Sequence, residues 1–172
     1  MSAQAVRAAV QAYFVGQVTG LNQVYRAQPT FADGKNWNLA TDLGSGAIGY
    51  VHLDAEKETR LTLPYQTGYK QVDYEVGLVV LYQYLIPSNT LVAQNGDEWT
   101  DALDVTLDGI KNRLRRDPTL GTSVAQGGTG LIFEAGEAKD DIMIARELPR
   151  RSPGKVLSWN VVQFKLTEIV QA

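Results

Sequence analysis

Few side chains in this sequence are of the types that perform covalent or metal chemistry. His52 is the single histidine and cysteine is absent from the 172 residues. Thiolate catalysis, a disulfide framework, cysteine-type zinc or iron-sulfur sites and any two-histidine metal site are therefore excluded. A Ser-His-Asp arrangement could be built only around His52, and no G-x-S-x-G elbow is present. His52 falls in an alternating stretch, which reads as a histidine on a sheet surface rather than a general base. Asp101 with Asp104, and Asp140 with Asp141, are hard enough for a divalent cation, but no Asx-x-Asx-x-Asx-Gly loop surrounds them. Helix solvation and turn formation account for both pairs. "GSGAIG", Gly44 to Gly49, matches G-x-G-x-x-G letter for letter. The dinucleotide motif needs a strand before it and a helix after it, whereas here a polar loop precedes and a strand follows, so the glycines read as a supple strand entry. "GGTG", Gly127 to Gly130, lacks the Lys-Ser/Thr of a P-loop and reads as a mobile loop. Arg150 and Arg151, between "ELP" and "SPGK", read as a solvated pair on an exposed turn, with contact to phosphate or an acidic partner as the alternative.

The elements that position these residues follow from period and punctuation. A chain of this length is expected to form one domain, residues 1–172, burying roughly 70% of the surface its unfolded form exposes. The 16 basic and 19 acidic residues leave a net charge of −3, which argues against tight binding to duplex nucleic acid. The N-terminal stretch "MSAQAVRAAVQAYFVGQ" carries an arginine mid-way and no uninterrupted apolar run, so it reads as neither signal peptide nor anchor. A soluble protein made in a cytoplasm is expected.

Residues 2 to 16 place Val6, Ala9, Val10, Tyr13 and Phe14 on one helical face, with Ser2 as N-cap and Gly16 to Gly20 as the stop. "NQVYRAQP" reads as a short strand, followed by a long loop, "TFADGKNWNLATDLGSG". "AIGYVHLDAEKETRLTLP" reads as a hairpin at residues 47–63 about a charged turn, Ala55 to Glu58, with Val51, Leu53, Leu61 and Leu63 on one face and Tyr50, His52, Arg60 and Thr62 on the other. A second helix opens on Asn95 and Glu98 as a capping-box-like pair, carries Trp99, Leu103, Leu107, Ile110 and Leu114 on one stripe, gathers Lys111, Arg113, Arg115 and Arg116 at its end and stops at Pro118. After a flexible "GTSVAQGGTG", three strands are expected in "GLIFEAGE", "DDIMIARELP" and "KVLSWNVVQFKLTEIV". The fold class is α+β, with a mixed or antiparallel sheet, two helices on one face and an extended β-hairpin.

The stretch "YKQVDYEVGLVVLYQYLIP", residues 69–87, begins as polar/apolar alternation and ends almost wholly apolar, so one strand has two environments. Its near half reads as placing Lys70, Asp73 and Glu75 on one side. Long, alternating, exposed strands invite pairing with another chain.

The blocks "SGAIGYVHLDAEKETRLTLPYQTGYKQVDYEVGLVVLYQY", "DALDVTLDGIKNRLRRDPTLG", "IFEAGE" and "WNVVQFKLTE", in that order, resemble the tail terminator proteins of long-tailed, siphovirus-type bacteriophages, especially those of Gram-positive, high-GC hosts. The resemblance covers most of the chain and implies a structural virion protein without catalytic residues, cofactor or metal. It implies a homohexameric ring at the neck, assembled in the host cytoplasm, that sits on the major tail tube protein, ends tube polymerisation and meets the head-tail connector proteins. It further implies that genomic double-stranded DNA passes through the lumen without sequence-specific binding and that no membrane is involved. On that reading Glu56, Lys57, Glu58, Arg60, Lys70, Asp73 and Glu75 form a protein interface, fixing register by sign matching. "FADGKNWNLATD" and "IPSNTLVAQNGD" carry no part of the likeness, and no role is assigned to loops 30–46 and 121–130. The alternatives are another head-tail connector or tail-completion protein, a small metal-independent enzyme or ligand-binding domain with a pocket around His52, and an oligomeric scaffold outside phage biology.

Overall fold

A computed structural model describes residues 3–29, 45–63, 66–87 and 94–171, with side chains described except at 61–67, 94–97, 152 and 171. Apolar residues at steps of three and four make helix α1 (Ala3–Phe14), which buries Val6, Val10, Tyr13 and Phe14. Gly16 and Gly20 end it with φ of 67° and 82°. A Cβ at Gly20 would lie 2.2 Å from the Thr106 hydroxyl, so space as well as dihedral demands glycine there. Strand β1 (Leu21–Tyr25) runs parallel to the start of β2 (Gly46–Leu63). β2 pairs antiparallel with β3 (Gln66–Leu85), and β3 with the long last strand, β7 (Lys155–Gln171). Along the other edge of β7 lie three short strands, β4 (Glu134–Ala135), β5 (Met143–Arg146) and β6 (Arg150–Ser152).

Helix α2 (Gln94–Arg116) places Leu103, Leu107, Ile110 and Leu114 in the main core with α1 and with Val51, Val76, Leu78, Val80, Val162, Phe164 and Leu166 of the sheet. Both helices thus cover one face of a seven-stranded mixed sheet, the α+β arrangement expected. The helix ends are tied together: the Tyr13 hydroxyl donates to the Arg113 carbonyl at 2.6 Å, and the Arg113 guanidinium lies 4.3 Å from the Tyr13 ring centroid.

β3 has the two environments that its sequence implies. Residues 76–83 are buried without interruption, because Ile48, Tyr50, Val79 and Leu81 form a second cluster on the face away from the helices, packed by Tyr25, Leu157, Trp159 and Val161. From Gln71 to Glu75 only Val72 and Tyr74 are buried.

Several expectations are corrected. The hairpin turn at Ala55 to Glu58 does not exist: β2 is one strand through Leu63, and the extended hairpin is β2 with β3, joined at residues 64–65, outside the described residues. "AEKE" lacks the glycine or asparagine that a tight turn needs, and β3 supplies backbone partners along its whole length. A register shift between Leu53 and Ala55 reverses the alternation, so Glu56 and Glu58 follow Val51 and Leu53 onto the helix side, opposite Tyr74 and Val72. Lys70 shares that side, since it stands an even number of residues from Val72, whereas Asp73 and Glu75 point the other way. The proposed side-chain faces of Leu61, Thr62 and Leu63, Ser2 and most of the loop at 30–46 fall outside what is described. α2 begins at Gln94, so Asn95 lies within the helix, and Glu98 accepts a hydrogen bond from the Tyr84 hydroxyl at 2.8 Å. Arg150 and Arg151 lie in β6 rather than on a turn, the turn falling at Pro153 and Gly154. "GLIFEAGE" yields only the two residues of β4. The glycine loop closes on itself, with the amides of Gly128 and Gly130 donating to the Ser123 and Thr122 carbonyls at 2.8 and 2.6 Å.

Candidate functional site

Past Tyr50, β2 leaves its parallel partner β1, and residues 54–60 are all exposed. Here β2 is the outermost strand among the described residues, beside β3, β7 and the two residues of β4, and charge lies on both faces. On the helix side Glu58 bonds Lys70 at 2.8 Å, which offsets the like-charge register pair Arg60 and Lys70. The Lys70 ammonium draws the Glu58 carboxyl below its ordinary range through that hydrogen bond. Beneath them the Tyr74 hydroxyl donates to the wholly buried Glu168 at 3.1 Å, and burial with the Glu168 charge pushes Tyr74 far above the usual phenol range.

On the opposite side Asp73 is the hub. It accepts hydrogen bonds from Thr167 (2.7 Å) and Gln71 (3.0 Å) and an ion pair from Lys139 (3.1 Å), which also reaches Glu134 at 3.4 Å. Burial pushes the Asp73 carboxyl up, but the bonds from Thr167, Gln71 and Lys139 outweigh it and hold the group below the ordinary aspartate range. A carboxyl held low in the folded state stabilises the fold above its unfolded pKa, about 4, and loses that contribution as pH falls through the folded value. Asp73→Asn is expected to lower the melting temperature at pH 7 and to flatten its decline below about pH 4, read by thermal denaturation across pH.

A cleft of about 320 Å³ opens across β3 and β7, lined by Asp54, Glu75, Asp140, Asp141, Met143 and Lys165. Lys165 is ion-paired to Asp140, and the neighbouring pair of Glu75 and Lys165 stands in register. His52 does not line this cleft; it stands 61% exposed on β2, 3.3 Å from Asp54. Among the described residues no three acidic or histidine side chains converge as metal ligands, and no helix is long and apolar enough to cross a membrane.

Of the seven interface residues expected from the sequence, the structure brings all onto the β2–β3 hairpin but splits them. Glu56, Glu58, Arg60 and Lys70 lie on the helix side; Lys57, Asp73 and Glu75 lie on the other. Asp73 is committed within the chain, while Glu56, Lys57 and Arg60 are exposed along the outer strand. Sequence reasoning missed Lys139 and Thr167, whose link to Asp73 spans 94 residues in the case of Thr167. It also missed Glu168, although a glutamate in the apolar register of Phe164, Leu166 and Val170 was a visible signal. No protein-family model matches the chain, and no curated protein matches it significantly.

Proposed function

We propose that this chain is a tail terminator of a long-tailed bacteriophage, a structural protein that caps the tail tube as a homohexameric ring, ends polymerisation and gives the head its docking surface around the DNA channel. The observation that carries the reading is the β2–β3 hairpin, whose outer strand, among the described residues, has no partner on its outer side past Tyr50 and is exposed and charged there. Such an edge is a template for pairing with another subunit unless charge or a cover blunts it. The order of sequence blocks supplies the protein class, and a net charge of −3 suits a conduit that must let phosphate slide rather than hold it.

The test is to add purified protein to polymerising tube protein of the same genome and image the products by negative-stain electron microscopy. Rings at one tube end, with tubes shortening as protein is added, support the terminator. Uncapped tubes, with portal or adaptor protein co-purifying, move the assignment to a head-side connector.

A further inference from the structure

We propose that copies of this chain join head to tail through their sheet edges, the acidic outer edge of β2 in one copy adding to the basic edge formed by β5 and β6 in the next. The inference deepens the proposed ring and rests on that reading for closure.

Both ends of the sheet are open among the described residues. No strand pairs with β2 beyond Tyr50 on its outer side, and β5 and β6 pair only with β7. The two edges carry opposite charge. Residues 54–60 hold Asp54, Glu56 and Glu58 against Lys57 and Arg60, a net −1, whereas residues 146–151 hold Arg146, Arg150 and Arg151 against Glu147, a net +2. Arg146 is ion-paired to Asp104 of α2 at 2.7 Å, while Arg150 and Arg151 are exposed. Beside these arginines stand two apolar side chains in water, Met143 at 59% and Leu148 at 90% exposure. Methionine and arginine are enriched in protein interfaces, with arginine prominent among their hot spots.

Sign decides the symmetry. A two-fold contact would set acidic edge on acidic edge or basic on basic, which like-charge repulsion opposes. Opposite edges make a heterologous contact, which propagates and closes into a ring when its rotation allows. Strand direction agrees: β5 is antiparallel to β7, β7 to β3 and β3 to β2, so a neighbour in the same orientation presents β2 antiparallel to β5.

The native chain has no cysteine, so introduced thiols report cleanly. Ala55→Cys and Ala145→Cys lie at exposed positions of β2 and β5. Treated with a short bismaleimide, in free solution at the highest soluble concentration and on tubes, the double variant should give a covalent ladder reaching the hexamer. Each single variant should stay monomeric, and a mixture of the two should stop at dimer. Adding Arg150→Glu and Arg151→Glu to the double variant should weaken the ladder by about tenfold or more. Dimers from either single variant, or no ladder from the double variant under both conditions, would overturn the pairing. Capped tubes without a ladder defeat this inference and leave the proposed function standing, whereas a ladder with uncapped tubes does the reverse.

Discussion

Leu107→Ala is expected to lower the unfolding free energy by about 3 to 5 kcal/mol, near the top of the range for removing a leucine side chain from a core. Leu107 is wholly buried at the middle of the α2 stripe, between Leu103 and Ile110, in the cluster that holds both helices to the sheet. The loss combines the transfer free energy of the removed methyl and methylene groups with a cavity that secondary structure on both sides keeps from collapsing. Val105 provides the control, because it lies two residues away on the same helix yet is 58% exposed. Val105→Ala should change stability by less than about 0.5 kcal/mol, since a half-turn of helix separates it from the core. Urea denaturation of the two variants reads the difference. Similar values for both would mean that α2 docks through another face.

That contrast was legible in the sequence, and the reasons show where legibility stops. The stripe from Trp99 to Leu114 keeps helical period over several turns, so no local signal competes with it. β3 was legible too: alternation gives way to a continuous apolar run after Glu75, which matches the point where the second cluster begins to cover the far face. β2 was misread because "DAEKET" has the polarity of a turn, while the fact that decides against one, continuous pairing with β3, depends on residues 66–85. The shift at Asp54 also exchanges the faces of every residue after it, and a one-residue slip is invisible to pattern counting. The error at Lys70 was avoidable, because residues 70 and 73 must face opposite sides of any regular strand. Asp73 is a different case. Its partners Lys139 and Thr167 arrive from the end of the chain, so nothing near Asp73 distinguishes a carboxylate that knits the sheet from one offered to a neighbour.

This distinction shapes the second large effect. If the chain caps tubes as proposed, Glu56→Lys combined with Glu58→Lys is expected to abolish capping while leaving the protomer folded, because both side chains are exposed on a strand whose backbone pairing with β3 is unaffected. Reversal turns the acidic edge of β2 basic, and the proposed ring would repeat the damaged contact at every joint. A loss of roughly threefold at each of six contacts compounds to about 700-fold around a closed ring. Glu58 also has an internal role, as the partner of Lys70 at 2.8 Å, so the double variant changes two things at once. Adding Lys70→Glu separates them, since it restores an opposite-sign pair across the hairpin while the outer edge stays reversed. Capping should remain lost in the triple variant, and circular dichroism should show all three proteins folded. Capping regained by the triple variant would make Glu58 a brace within the hairpin rather than an interface residue. Capping retained by the double variant at low salt, where screening is weakest, would remove the β2 edge from the interface altogether.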